Sequence, residues 1–111
     1  MPQDRLGEFE ELILLTVCNL TDNAYGVTIK ETLRQEAERA ASVGAIYATL
    51  DRLERKGFVE SWVGGATAVR GGRRKRYYRV TSSGLAVLAE VRRVREHLWR
   101  GLDDLGLAGM V

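Results

Sequence analysis

What is scarce in this chain narrows its chemistry before any pattern is read. Cysteine occurs once, at Cys18, and histidine once, at His97. A single thiol forms no intramolecular disulfide, which fits a reducing compartment. One Cys and one His also fall short of the three or four ligands of a typical metal site. No acid–base constellation accompanies either residue, so neither an enzyme nor a bound cofactor is expected. The glycine pairs Gly64-Gly65 and Gly71-Gly72 lie in turn-rich sequence and do not form a phosphate-binding motif. No apolar run approaches the ~18 residues of a membrane span, and Met1-Pro2-Gln3-Asp4 does not begin a basic, then apolar, leader. There is no internal repeat and no low-complexity segment. The expectation is a cytoplasmic, single-domain protein. Its 111 residues, 45% hydrophobic and 29% charged, can bury only a small core, which a partner subunit would extend.

Net charge is only +2, but it is unevenly spread. Arg70, Arg73, Arg74, Lys75, Arg76 and Arg79 form a basic stretch with no acid among them. Removing these six from the net +2 leaves the remainder of the chain at −4. Positive charge gathered on one short segment suits contact with phosphate, although a solvated hairpin would look the same.

Periodicity predicts a first helix over about 6–20, where Phe9, Leu12, Ile13, Thr16, Val17 and Leu20 recur at helical spacing and Glu8, Glu10 and Glu11 suit the N-terminal dipole. Thr21-Asp22-Asn23 breaks it. A second helix runs from Tyr25-Gly26 to about Ala37, with Ile29, Leu33 and Ala37 inside and Lys30, Glu31 and Arg34 outside. Ser42 caps a third, whose inner stripe is Val43, Ile46, Leu50 and Leu53, and Gly57 closes it in a left-handed cap. Residues 58–63 and 75–80 read as strands of a hairpin with a glycine-bearing tip. In the second strand Tyr77 and Tyr78 face opposite ways, one of them toward the core. Thr81 or Ser82 then caps a long helix reaching about Leu105.

The predicted fold is mainly α with a small β-hairpin: a winged helix-turn-helix (residues 1–80) and a long C-terminal dimerisation helix with its tail (residues 81–111). The third helix presents Gly44, Ala45, Tyr47, Ala48, Thr49, Asp51, Arg52 and Arg55 outward. Small residues in its first turns would let its backbone approach DNA closely, with Ser42 and Thr49 donating to phosphate or base edges and Arg52 reaching either. Each has a plainer alternative. Tyr47 leans onto the core, Arg52 pairs with Glu38 or Asp51, and Gly44 packs against the second helix. Tyr25 and the wing residues Arg70, Arg73, Arg74, Lys75 and Arg76 complete the expected DNA surface. On the last helix Val87, Val91, Val94, Leu98 and Leu105 follow heptad-like spacing, with Trp99 and Leu102 on an adjoining edge. Together with Phe9 they form the expected dimer interface. Trp99 is either an interface anchor or a platform for a flat ligand, and Trp62 is expected to pack within the hairpin. The competing function is a winged-helix protein-interaction module without specific DNA binding.

Ala24-Tyr25-Gly26-Val27, Gly44-Ala45-Ile46-Tyr47-Ala48-Thr49-Leu50, Arg52-Leu53-Glu54-Arg55-Lys56-Gly57-Phe58-Val59 and Gly71-Gly72-Arg73-Arg74-Lys75-Arg76-Tyr77-Tyr78-Arg79-Val80-Thr81, with Gly84, stand in the order and spacing of a known family. The chain resembles the PadR family of bacterial transcriptional regulators over roughly 6–98, and its single C-terminal helix resembles the smaller subfamily. The resemblance implies a homodimeric regulator, usually a repressor, on an inverted-repeat operator. It also implies an interface built from the first and last helices, where some relatives take up phenolic or drug-like compounds. The segment from Gly64 to Gly72 departs from the most compact relatives in being longer.

Overall fold

A computed structural model describes residues 5–64 and 74–106. The expected basic residues Arg70 and Arg73, and the wing loop, lie outside the described residues. Helices α1 (Glu8–Leu20), α2 (Gly26–Ala37) and α3 (Val43–Arg55) precede strands β1 (Val59–Gly64) and β2 (Lys75–Val80), and helix α4 (Ser82–Asp104) follows. A 3-10 turn, Thr21–Asn23, joins α1 to α2. This is the winged helix-turn-helix with a long last helix.

Local chemistry sets the boundaries. Helix α1 starts at Glu8, two residues later than its apolar period implies, because the Glu10 carboxylate reaches back to accept from the Gly7 amide at 2.7 Å. The Ser42 hydroxyl accepts from the Ala45 amide at 3.0 Å and starts α3. At the other end of α3 the Phe58 amide bonds the Leu53 carbonyl and the Gly57 amide bonds that of Glu54. That pair of bonds needs a left-handed residue at position 57, and Gly57 supplies it with φ +81°.

Ile13, Leu14 and Val17 of α1, Ile29 and Leu33 of α2, and Ile46, Leu50 and Leu53 of α3 are all but inaccessible to solvent. Ala37, expected inside, is exposed; it ends α2 just before Glu38 turns into a left-handed conformation at φ +51° and carries the chain away. The hairpin closes the core with Val59 and Tyr78, paired antiparallel so that Ser61 faces Tyr78 and Trp62 faces Tyr77. The Tyr78 amide also donates to the Ala24 carbonyl at 2.9 Å, fastening β2 to the start of α2.

Thr81 joins the hairpin to α4: its hydroxyl donates to the Gly57 carbonyl at 2.6 Å and accepts from the Gly84 amide at 3.1 Å. Gly84 is the sole buried residue of α4. A Cβ there would strike the Phe58 carbonyl and come within 2.6 Å of Val80 Cγ1, so glycine allows α4 to start against the residue before β1 and the end of β2. After its first turns α4 is exposed along most of its length. The radius of gyration is 16.5 Å, against about 13 Å for a compact domain of this length, and the longest extent is 60 Å.

Candidate nucleic-acid interface

The N-terminal half of α3 is open. Ser42, Gly44, Ala45 and Ala48 are exposed. A Cβ at Gly44 would meet only Ser42 Oγ, at 3.9 Å, so close packing on α2 does not explain this glycine. Tyr47 leans inward and is half-buried. Its ring centroid lies 6.4 Å from that of Tyr78, and its hydroxyl sits where a Cβ on Gly26 would be, 2.6 Å away. Gly26 therefore makes the room that lets Tyr47 cross the start of α2.

One expectation on α3, the outward Thr49, needs correction, and so does the plainer alternative for Arg52. Thr49 faces inward, 2% exposed, and its hydroxyl donates to the Ala45 carbonyl at 2.9 Å. It stands three residues after Ile46 and four before Leu53, so the apolar stripe takes it in. Arg52 pairs with neither Glu38 nor Asp51. Its Nη2 donates to Thr49 Oγ1 at 3.1 Å and its Nε lies 3.6 Å from Glu10.

Glu10 escaped the sequence reading, which saw only a carboxylate favoured by the helix dipole. It is 6% exposed and accepts from Lys56 Nζ at 3.0 and 2.9 Å through its two oxygens. Burial pushes its carboxyl pKa up, but the Gly7 amide, Lys56 and Arg52 outweigh that and hold it below the ordinary 4.5. The cluster fastens the C-terminal end of α3 to the start of α1.

At the root of the wing an aromatic and cationic ladder crosses one face of the hairpin. Trp62 stacks on Tyr77 with centroids 5.7 Å apart, and Tyr77 meets Tyr25 edge-on at 5.5 Å. Lys75 Nζ stands 4.5 Å from the Tyr25 ring, and the Arg79 guanidinium 5.1 Å from that of Trp62. Trp62 thus packs within the hairpin, as expected, and Tyr25 ties α2 to the wing. Tyr78 is the core tyrosine, and burial pushes its phenol up to about 12. One of the basic charges is compensated, since Arg79 pairs with Glu60 at 2.9 Å, while Arg76 bonds the neutral Ser61 hydroxyl at 2.9 Å. The partners come from β1, across the register, where a count along β2 misses them. Arg74, Lys75 and Arg76 are exposed.

On α4, Val87, Val91 and Leu102 are half-buried, whereas Val94, Leu98, Trp99 and Leu105 are exposed by 43%, 68%, 53% and 72%. The helix does not pack wholly onto its own α1. An open groove of about 480 Å³ lies between them, lined by Leu15, Leu88, Arg92 and Trp99 and bridged by Arg95 on Glu11 at 2.8 Å. Phe9 lies elsewhere: it packs against the subunit core, with the Arg39 guanidinium 5.2 Å above its ring. The α1 residue presented beside α4 is Leu15, 42% exposed, which the sequence reading passed over. No helix among the described residues is long and apolar enough to cross a membrane.

Comparison with known proteins agrees with this arrangement. The model of the transcriptional regulator PadR-like family matches residues 14–90. An uncharacterised protein of Lysinibacillus sphaericus is 32% identical over 87 residues, 77% of this chain and 75% of its own length. A PadR family transcription regulator of Clostridium difficile superposes with a TM-score of 0.70 at 22% identity, over 87% of this chain and 97% of its own. A PadR family regulator of Eggerthella lenta gives 0.66 at 27% identity, over 91% and 88%. Bacillus subtilis PadR, solved in complex with operator DNA, gives 0.61 at 23% identity, over 74% of this chain and 45% of its own.

Proposed function

The chain belongs to the PadR-like family of transcriptional regulators, and from that premise we propose that it is a cytoplasmic repressor binding an inverted-repeat operator as a homodimer. The observation that carries the DNA-binding reading is the unobstructed face of α3, where Gly44, Ala45 and Ala48 are exposed and the glycine has no packing purpose within the subunit. A helix bared in this way admits the floor of a major groove, with Ser42 and Tyr47 at its margin. Arg70, Arg73, Arg74 and Lys75 grip phosphate beside it. Residues 1–80 carry this surface and residues 81–111 join the subunits through the apolar side of α4, in the manner of two helices covering each other's exposed stripe. The Bacillus subtilis PadR complex with operator DNA supports the same mode of binding here.

Gel-shift titration on the DNA immediately upstream of its own coding sequence tests this. Preference over random duplex, with half-sites about one helical turn apart, is expected. Binding that does not distinguish the two sinks the specific regulator and favours a protein-interaction module. Trp99, exposed on the groove between α1 and α4, is the residue we assign to a planar aromatic effector that relieves repression. In a Trp62→Phe background its fluorescence reports binding directly, and an unresponsive signal across such compounds leaves Trp99 as an interface anchor alone.

A further inference from the structure

Each face of the wing is bound to a different helix. On one face the Tyr25–Tyr77–Trp62 ladder connects it to the start of α2. On the other, Arg76 Nη1 donates to Ser61 Oγ at 2.9 Å, and Ser61 Oγ donates to Glu54 Oε2 at 2.8 Å. Glu54 stands in the last turn of α3, so this relay joins the exposed helix to β2 through a side chain of β1. Its direction is dictated by chemistry: a serine hydroxyl has one proton to give, which goes to the carboxylate, and its lone pairs accept from the cation.

Such exposed contacts add little to stability. Their effect is on orientation, because a long arginine otherwise samples many rotamers that must be lost on binding. The Arg76 guanidinium carries five N–H donors, and Ser61 takes one at Nη1, leaving others for a phosphate. Asp51 and Glu54 also place negative charge near Tyr78, on the side of α3 that faces the wing. A phosphate backbone lying between helix and wing would be repelled there without a cation held in place.

We propose that Ser61 and Glu54 are positioning residues for DNA binding, holding Arg76 against α3 so that helix and wing meet the duplex as one rigid edge. This rests on the DNA-binding reading above. The test measures affinity of the Ser61→Ala, Glu54→Ala and Ser61→Thr variants for the duplex upstream of the protein's own coding sequence, in about 50 and 200 mM salt. Melting temperature and sedimentation are read alongside. Ser61→Ala and Glu54→Ala should each bind about three- to tenfold more weakly than wild type at unchanged melting temperature and mass, and Ser61→Thr, which keeps the hydroxyl, should restore binding. Glu54→Ala also deletes a negative charge facing a polyanion, so simple electrostatics predicts tighter binding instead. Glu54→Ala that binds as well as wild type or better, with Ser61→Ala unchanged, overturns the positioning role. Wild-type protein that binds no duplex refutes the DNA-binding reading itself, a failure visible before any variant is compared.

Discussion

Glu10 and Gly44 show how differently two residues of one small domain are constrained. Glu10 is buried among an amide and two cations, and removing its carboxylate strips Lys56 of its counter-charge, although its bond to the Arg5 carbonyl at 3.0 Å stays. Glu10→Ala should cost about 1–3 kcal/mol, read from urea denaturation. Because the folded pKa of Glu10 lies below its ordinary 4.5, this stabilisation is fully present above about pH 4.5. It is lost as pH falls through the folded value, where the native state too must take up the proton. Glu10→Gln should therefore flatten the acid dependence of stability in that window, and an unchanged acid limb would show that the carboxylate contributes nothing there. Gly44 is the reverse case. Nothing lies near its missing side chain, so Gly44→Ala should stabilise the helix by up to about 1 kcal/mol. The same methyl group stands where DNA would come closest. Binding should weaken roughly tenfold, the equivalent of about 1.4 kcal/mol. A more stable variant that binds DNA as well as wild type would remove the reason given for that glycine.

Among the elements, those defined by local chemistry were readable and those defined by what they touch were not. The cap at Ser42, the left-handed Gly57, the limits of β2 and the start of α4 follow from short-range signals in the chain. Thr49 and Ala37 were misplaced because an idealised stripe ignores where a helix ends and how wide its buried face is. The compensation of Arg79 by Glu60 and the burial of Glu10 depend on residues far apart in sequence, and periodicity carries no information about them. Phe9 is half-buried against the core of its own subunit, and Leu15 is the apolar α1 residue exposed beside α4. At this scale the prediction concerns α4. Leu98→Asp places a charge on its most exposed central leucine, which the isolated subunit would tolerate. The proposed dimer would lose about a hundredfold in affinity, or about 2.7 kcal/mol. Sedimentation at several concentrations would reveal it, and a variant that stays dimeric would move the interface off this side of the helix.

The whole molecule is a small head on a long helical stem, and its two ends are expected to respond to different variables. Salt acts on the head. Alanine at Arg73, Arg74 and Lys75 would remove up to three of the proposed phosphate contacts per subunit, six in the proposed dimer. The slope of log affinity against log salt should then become shallower by as much as about 5. An unchanged slope would take the wing out of the phosphate footprint. The stem responds to the amount of protein. Its exposed leucines and Trp99 have little to cover them within one copy, so in the proposed dimer folding and association share a free energy, and dilution weakens both by mass action. The abundance of the protein then sets its heat resistance along with its occupancy of DNA. In a cell that makes less of it, the proposed dimer would be both more dissociated and less stable, so the proposed repression would fall more steeply than the drop in copy number.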